Sequence, residues 1–368
     1  MKKQLLINFF DDRPEERNLI KLLDILKEND LEIIKYFYDI KKDMTKDEII
    51  KYVYSKLTNQ TFLSNLLMSF LPDEIEIIKK VIKANGHMII KEKDLLDFSY
   101  LTSLFIIDTI KNKDELIIYM TDDVYNIIKK LDINKLDNSK INLRVMNLLF
   151  AMVNYYGVVS LDDLAKTYED YYKEKLEIND ALFSLEYRSE NISYYNKDEE
   201  YFINAGFYEF DESFVELVIK RQKEFERPKI ELEELLKYTD FYYIDKNEPT
   251  LEYYEFLKGK IEDTIIDDIV AYTQNSLKYS INEIYTIADS LTECGIKFSE
   301  PDLYVFMNII TKMYDLSKIY LNNGWQSLAF MKEYGKKDYI DLLEFKEELP
   351  HECSDQCGCH DHHENEKE

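Results

Sequence analysis

Apolar residues in this chain recur mostly every three or four positions. After Pro14 and the acids Glu15 and Glu16, placed as in a helical first turn, Leu19, Leu22, Leu23 and Leu26 keep that spacing and predict a helix over 14–40. Thr45 with Glu48 three residues on forms a capping box ahead of Ile49, Ile50, Val53 and Leu57. The run FLSNLLMSFL follows, and after Pro72 the helix DEIEIIKKVIKA is stopped by Asn85-Gly86, the pair that a helix C-terminus favours.

Beyond Gly86 the period changes. His87 to Ile90 reads as a short strand, residues 92–110 return to helical spacing, Glu115 to Met120 reads as a strand, and Thr121-Asp122-Asp123 opens another helix. Helix, short strand, helix, strand and helix is the order of a winged-helix unit. The order recurs: a helix over 140–154, a strand from Gly157 to Ser160, a helix from Leu161 to Lys175 capped by Ser160, and a helix from Glu177 to Tyr187. Two aromatic-rich runs around Asn196 to Glu199 then predict a hairpin, the wing of the second unit. The segment ERPKIELEELL around Pro228 is the candidate boundary to a helical region. There, residues 231–238, 250–277, 280–293 and 300–321 carry helical spacing, and residues 326–350 add one short helix.

The expected fold is mainly α: tandem winged-helix-like units with short β-hairpins, then an all-helical C-terminal domain and a flexible tail. The predicted divisions are 1–135 for the N-terminal helices with the first unit, 136–227 for the second, 228–349 for the helical domain and 350–368 for the tail. The 368 residues suffice for two or three domains that bury their own cores without metal or disulfide support. The longest uncharged apolar stretch, Phe62 to Leu71, is about half of a membrane span. The apolar run before Asp11 and Asp12 is too short for a secretory signal, so the expected location is cytoplasmic, where thiols stay reduced.

Lysine outnumbers arginine 41 to 6, while Ile, Asn and Tyr are abundant and Gly is scarce. An AT-rich genome imposes that pattern, so the 30 tyrosines and 8 glycines carry no functional argument. Charge carries more. The net charge is −26, and setting aside the six acids and one lysine of residues 351–368 still leaves −21. A body so acidic repels phosphate backbones and anionic membranes unless it segregates a basic face, and Lys41-Lys42, Lys129-Lys130 and Lys220-Arg221 form none. The helices standing where a winged-helix unit would read DNA confirm this reading of the charge: DLLDFSYLTSLFIIDTI has no basic residue and EINDALFSLEY is acidic. A transcriptional regulator is therefore disfavoured, and a basic protein partner or a metal cation is compatible.

No Walker loop, dinucleotide fingerprint, HExxH or Gly-x-Ser-x-Gly occurs in the sequence. Asp122-Asp123 and Asp162-Asp163 open predicted helices, where acids favour the helix dipole, and Asp267-Asp268 is a third such pair. His87 reads as structural and Cys294 as a small buried hydrophobe without a histidine near it in sequence.

Chemistry concentrates in the tail. Four of the five histidines and three of the four cysteines lie between His351 and His363. Cys357-Gly358-Cys359 in extended form directs both thiolates to one side, and Cys353 lies a short turn upstream. With one of His360, His362 or His363 these thiolates make a Cys₃His tetrahedral set for Zn²⁺, with Ni²⁺ or another thiophilic ion as the alternative. The surplus donors, Asp355 and Asp361 among them, leave room for labile binding, as in metal delivery or storage.

The stretch YDLSKIYLNNGWQSLAFMKEY (314–334), followed by this terminal cluster, resembles a group of uncharacterised proteins of low-GC Gram-positive bacteria. Those proteins end in a zinc-binding SEC-C motif, the knuckle also found at the end of the SecA translocation ATPase. The resemblance covers roughly the last 120 residues, the size of one small domain. Its strongest element is Asn322-Asn323-Gly324-Trp325. Cys357-Gly358-Cys359 matches the motif's Cys-x-Cys, whereas His360-Asp361-His362-His363 stands in place of its Gly-Ser-Gly-Lys stretch and Cys353 is additional. The resemblance implies zinc and a partner-binding role. The combined expectation is a non-enzymatic cytoplasmic interaction protein whose Cys/His tail contacts a protein partner, with metal trafficking as the alternative.

Overall fold

The computed structural model describes residues 15–335, apart from 39, 41–43, 92–98, 113–114, 177–187, 190, 197–198, 211 and 280–282. The described chain is mainly helical with two small antiparallel sheets. It groups into two compact units. The first holds the chain up to Asn154 with Val158–Phe210 and Glu231–Phe241, and the second holds Tyr155–Gly157, Asp211–Ile230 and the chain from Tyr242 onward.

In the first unit the predicted helix over 14–40 is two helices, Leu19–Asp24 and Glu28–Phe37. Among the described residues the first helix is capped by Asn18, whose side chain accepts from Lys21 N at 3.0 Å. The capping box is present as read, with Thr45 N donating to Glu48 Oε2 at 2.8 Å at the head of Lys46–Leu57. Helix Pro72–Lys83 buries Ile75, Ile77, Ile78 and Val81. It ends where Gly86 N returns to Val81 O at 2.8 Å.

Strand β1 (His87–Lys91) pairs with β3 (Glu115–Tyr119), which pairs with β2 (Asp108–Asn112), giving the order β1-β3-β2. The second sheet repeats it: β4 (Val158–Ser160), β5 (Ile192–Asn196) and β6 (Glu200–Asn204) lie in the order β4-β6-β5. Strand β2 corrects the sequence reading, which gave residues 92–110 to a helix. The described helix there is Ser99–Ser103, and Phe105 at φ 55° turns the backbone out of it. The Ile106-Ile107 run that follows is buried on all sides, so its apolar continuity imitates a helix face. Helices Ser139–Tyr156 and Leu161–Tyr172 appear where expected, with Ser160 Oγ accepting from Asp163 N at 3.1 Å. The helix expected over 177–187 lies outside the described residues.

The second unit is built from helices Glu212–Gln222, Glu248–Leu257, Ile266–Leu277, Glu283–Glu293, Glu300–Leu316 and Ser327–Tyr334. Its core includes Tyr253, Leu257, Val270, Leu277, Phe306, Ile310 and Phe330. The continuous helix expected over 250–277 is broken after Leu257, where Gly259 adopts φ 72° and a short 3₁₀ turn, Asp263–Ile265, precedes the next helix. The helix expected over 300–321 stops at Leu316 and is followed by a tight turn. Cys294 is exposed, a correction to its reading as a core residue. It caps a helix end, and the side chain that returns to the core is Ile296. No described helix is long and apolar enough to cross a membrane.

Candidate functional site

The six metal-ligand candidates, Cys353, Cys357, Cys359, His360, His362 and His363, lie outside the described residues, as do His351, Asp355 and Asp361. Among the described residues no group of three or more His, Cys, Asp and Glu side chains is placed to hold a metal ion.

Residues singled out elsewhere have identifiable neighbours. His87 lies with Nε2 3.6 Å from Glu15 Oε2, beyond hydrogen-bond distance. Asp122 does more than favour a helix dipole: it receives Arg17 Nε at 3.1 Å, and its own N–H donates to Arg17 O at 2.8 Å. Asp123 Oδ2 accepts from Leu19 N at 3.2 Å. Asp267 accepts from the Tyr254 hydroxyl at 2.7 Å. Burial, and then this carboxylate, push the Tyr254 phenol above its ordinary range.

Ionisable chemistry in the second unit converges instead on the end of helix Ile266–Leu277. Its inward face carries Ile266 and Val270, and at the same four-residue spacing come the half-buried Gln274 and then the buried Lys278, so the helical period delivers a lysine to the core. Lys278 caps the helix at 5% exposure and donates from Nζ to Asn275 Oδ1 at 2.8 Å. Gln274 fixes the neighbouring segment through its whole amide. Its Nε2 donates to Asp245 O at 2.9 Å and to Thr250 Oγ1 at 2.8 Å, and its Oε1 accepts from Asp245 N at 2.9 Å. The Asp245 carboxylate so placed is in ion-pair contact with Lys318 Nζ.

Burial lowers the pKa of the Lys278 amine to about 7, an effect that Asp245 opposes and the like charge of Lys318 reinforces. A neutral amine is a base or nucleophile. Enclosed as it is, Lys278 has proton exchange as its accessible chemistry. No motif announced it, but the spacing Val270, Gln274, Lys278 within an apolar stripe was a signal present in the sequence.

The same lysine anchors the Asn-Asn-Gly-Trp turn. Its carbonyl accepts from Tyr320 N at 2.9 Å, and the turn is closed by Ile319 N to Trp325 O at 3.0 Å. Asn323 sits at φ 54° and Gly324 at φ 82°. A Cβ on Gly324 would stand 2.5 Å from Tyr156 Cδ1, so the turn demands glycine by both conformation and space. Asn323 Nδ2 donates to Phe225 O at 2.9 Å, and its Oδ1 accepts from Arg227 Nε at 3.2 Å. Gln222 Nε2 donates to Tyr156 O at 2.6 Å and Tyr320 O at 2.8 Å, and Trp325 Nε1 to Glu226 O at 2.8 Å. Asn323, Gly324 and Trp325 of the Asn-Asn-Gly-Trp stretch each have a structural task.

Comparison with known proteins found no matching family model, no matching curated protein and no matching solved structure.

Proposed function

We propose that the protein is a non-enzymatic cytoplasmic interaction protein whose C-terminal Cys/His tail holds Zn²⁺ and contacts a protein partner. The observation that carries this reading is the donor set: seven of the chain's nine thiol and imidazole side chains fall within His351–His363. Thiolate and imidazole donors suit a borderline-soft ion that takes four ligands, and Cys353, Cys357 and Cys359 with one of His360, His362 or His363 would supply them. Among the described residues the core of the second unit is built without any of these donors, which supports a tail separable from the body. The SEC-C resemblance supports zinc and a partner in the same direction.

Two winged-helix-like units serve in this reading as protein-contact or packing modules. Their support is the common strand order of the two sheets, first-third-second, each with a helix between its first two strands. The chain's charge of −26 favours a basic partner over nucleic acid. A second reading, metal delivery or storage with Zn²⁺ or Ni²⁺, is favoured by the surplus of donors over the four that one ion needs.

Metal content of untagged protein, full-length against truncated after Pro350, tests both. About one tightly held zinc lost on truncation supports the knuckle. Two or more exchangeable ions support trafficking, and no metal in either form removes both readings. Replacing Cys353, Cys357 and Cys359 with serine is expected to abolish tight zinc binding and leave thermal unfolding of the body nearly unchanged.

A further inference from the structure

The first sheet, in the order β1-β3-β2, has β1 at an edge. One bond fixes which of its backbone groups face outward. Met120 N donates to Gly86 O at 3.0 Å, so these two residues form a hydrogen-bonded antiparallel pair, and by alternation so do Met88 with Ile118 and Ile90 with Leu116. The N–H and C=O groups of His87, Ile89 and Lys91 therefore turn away from β3. His87 N is used locally, donating to Ala84 O at 3.4 Å. Beyond it, the Ile89 N–H and C=O have no partner among the described residues.

Proteins blunt such edges with brevity, proline, bulges or charge. Strand β4 has only three residues, and β2 carries Asp108 and Lys111. Strand β1 pairs over five residues with no break in register, holds no proline, and has Lys91 only at its end. The register also sets Ile89, Ile117 and Ile110 in one row across the three strands. Burial falls along that row: Ile110 is 6% exposed, Ile117 is intermediate and Ile89 is 54% exposed. An apolar row thus runs to the open edge and stops in water.

We propose that β1 is a homodimer interface, at which a second copy adds its own β1 antiparallel about a twofold axis at Ile89, joining the two sheets into one. The occupant is a strand because the outward groups are alternating backbone donors and acceptors, which an extended chain meets at strand spacing. It is a second copy because β1 complements itself. Each Ile89 N–H meets the Ile89 C=O of the second copy, and each Lys91 N–H meets the other His87 C=O, while His87 N keeps its bond to Ala84. The isoleucine row continues into that of the second copy, which takes Ile89 out of water. Each copy carries a net charge of −26, so long-range repulsion opposes the contact and added salt tightens it. The interface uses no residue of the tail and stands apart from its metal chemistry.

Sedimentation equilibrium of the full-length chain, from low to high micromolar concentration, is expected to show reversible dimerisation that strengthens with salt and is indifferent to a metal chelator. Ile89→Pro removes the outward N–H and spares the bonds of Met88 and Ile90 to β3, so it should give a folded monomer at every concentration. Ile89→Lys puts a charge where the two isoleucines meet and should weaken the dimer by about tenfold or more. Ile20→Lys, at an isoleucine 46% exposed on a helix, and truncation after Pro350 should leave dimerisation unchanged.

A wild-type monomer throughout the range overturns the proposal and leaves the edge to a strand of another protein. So does a dimer that survives both Ile89 variants, that Ile20→Lys weakens equally, or that loosens with added salt. Loss of the dimer on truncation or with chelator also overturns it, since either would assign association to the metal-binding tail. If Ile89→Pro fails to fold by circular dichroism, Ile89→Lys decides.

Discussion

Each unit buries a cation, and the two are treated in opposite ways. In the first unit Arg188 directs a two-pronged fork at Glu74, Nη1 to Oε1 at 2.5 Å and Nη2 to Oε2 at 3.0 Å, with both side chains only 6% exposed. The guanidinium also lies 4.0 Å over the ring of Tyr100. In the second unit Lys278 donates to the Asn275 amide oxygen among its contacts, and burial lowers its pKa to about 7. A guanidinium cannot shed its proton in a protein, so it is buried only with a matched acceptor; an amine can, so it tolerates enclosure by titrating. Burial therefore fixes a charge in one unit and makes it conditional in the other.

The largest test of this contrast exchanges each cation for an apolar side chain and compares signs. Lys278→Met is expected to stabilise the second unit at neutral pH, because burial displaces the amine's pKa from 10.5 to about 7 and so penalises its charged form. The sign follows from the folded pKa lying below the unfolded one. The cost is absent above the unfolded value of 10.5, grows as pH falls, and is complete below about 7, so the gain from Lys278→Met should shrink steadily from pH 7 toward pH 10. Arg188→Met should do the reverse in the first unit. It leaves the buried Glu74 carboxylate without its fork, at a cost of about 3–5 kcal/mol. Urea unfolding of each variant at several pH values checks both. A destabilised Lys278→Met at neutral pH would break the contrast.

A smaller effect separates the turn's two demands on glycine. Gly324→Ala meets Tyr156 at 2.5 Å and Tyr155 at 2.9 Å in a backbone held at φ 82°. Gly295→Ala meets nothing within 4 Å at φ 94°. The second should therefore cost only the left-handed backbone penalty of about 1–2 kcal/mol. The first should add about 1–3 kcal/mol of overpacking. Equal losses in thermal unfolding would mean that the tyrosines yield and that the 318–326 turn is softer than its hydrogen bonds suggest.

Local signals carried most of the described helices and the second hairpin, because caps and period are written in adjacent residues. Thr45 with Glu48, Ser160 before Leu161, and Asn85-Gly86 each sit where they were read. Strand β2 was not legible: Ile106, Ile107 and Ile110 are all buried, and an uninterrupted apolar run has no period that tells strand from helix. The chemistry of the second unit was less legible still. Lys278 has meaning only with Asp245 and Lys318, which come from segments 33 and 40 residues away in sequence.

The scarcity of arginine reads as codon usage, and each of the five described arginines occupies a fork or a ring stack that lysine cannot reproduce. Arg17 meets Asp122 and Gly86 O, and Arg144 forks to Glu174 beside Tyr172. Arg221 reaches Leu321 O and Asn322, and Arg227 reaches Asn323 over the ring of Tyr156. Arg188 completes the set at Glu74.

The smallest expected effect confines the contrast to buried charge. Asp302 is partly exposed; the Lys260 ammonium at 2.7 Å and then the Ser299 hydroxyl lower its pKa to about 2. Its folded value lies below its unfolded one, so its contribution is present above the ordinary carboxylate range and is lost as pH falls through about 2. Water screens such a pair, and the stabilisation it gives is correspondingly slight. Asp302→Asn removes the charge but keeps an amide oxygen able to accept in the Ser299 capping box of helix Glu300–Leu316. The expected outcome is a slightly altered acid limb in a stability-versus-pH profile, with the limb between pH 7 and 10.5 that Lys278 controls left unchanged. Movement of that alkaline limb in Asp302→Asn would mean that surface carboxylates set the Lys278 equilibrium from a distance, and that enclosure alone is not what makes its charge conditional.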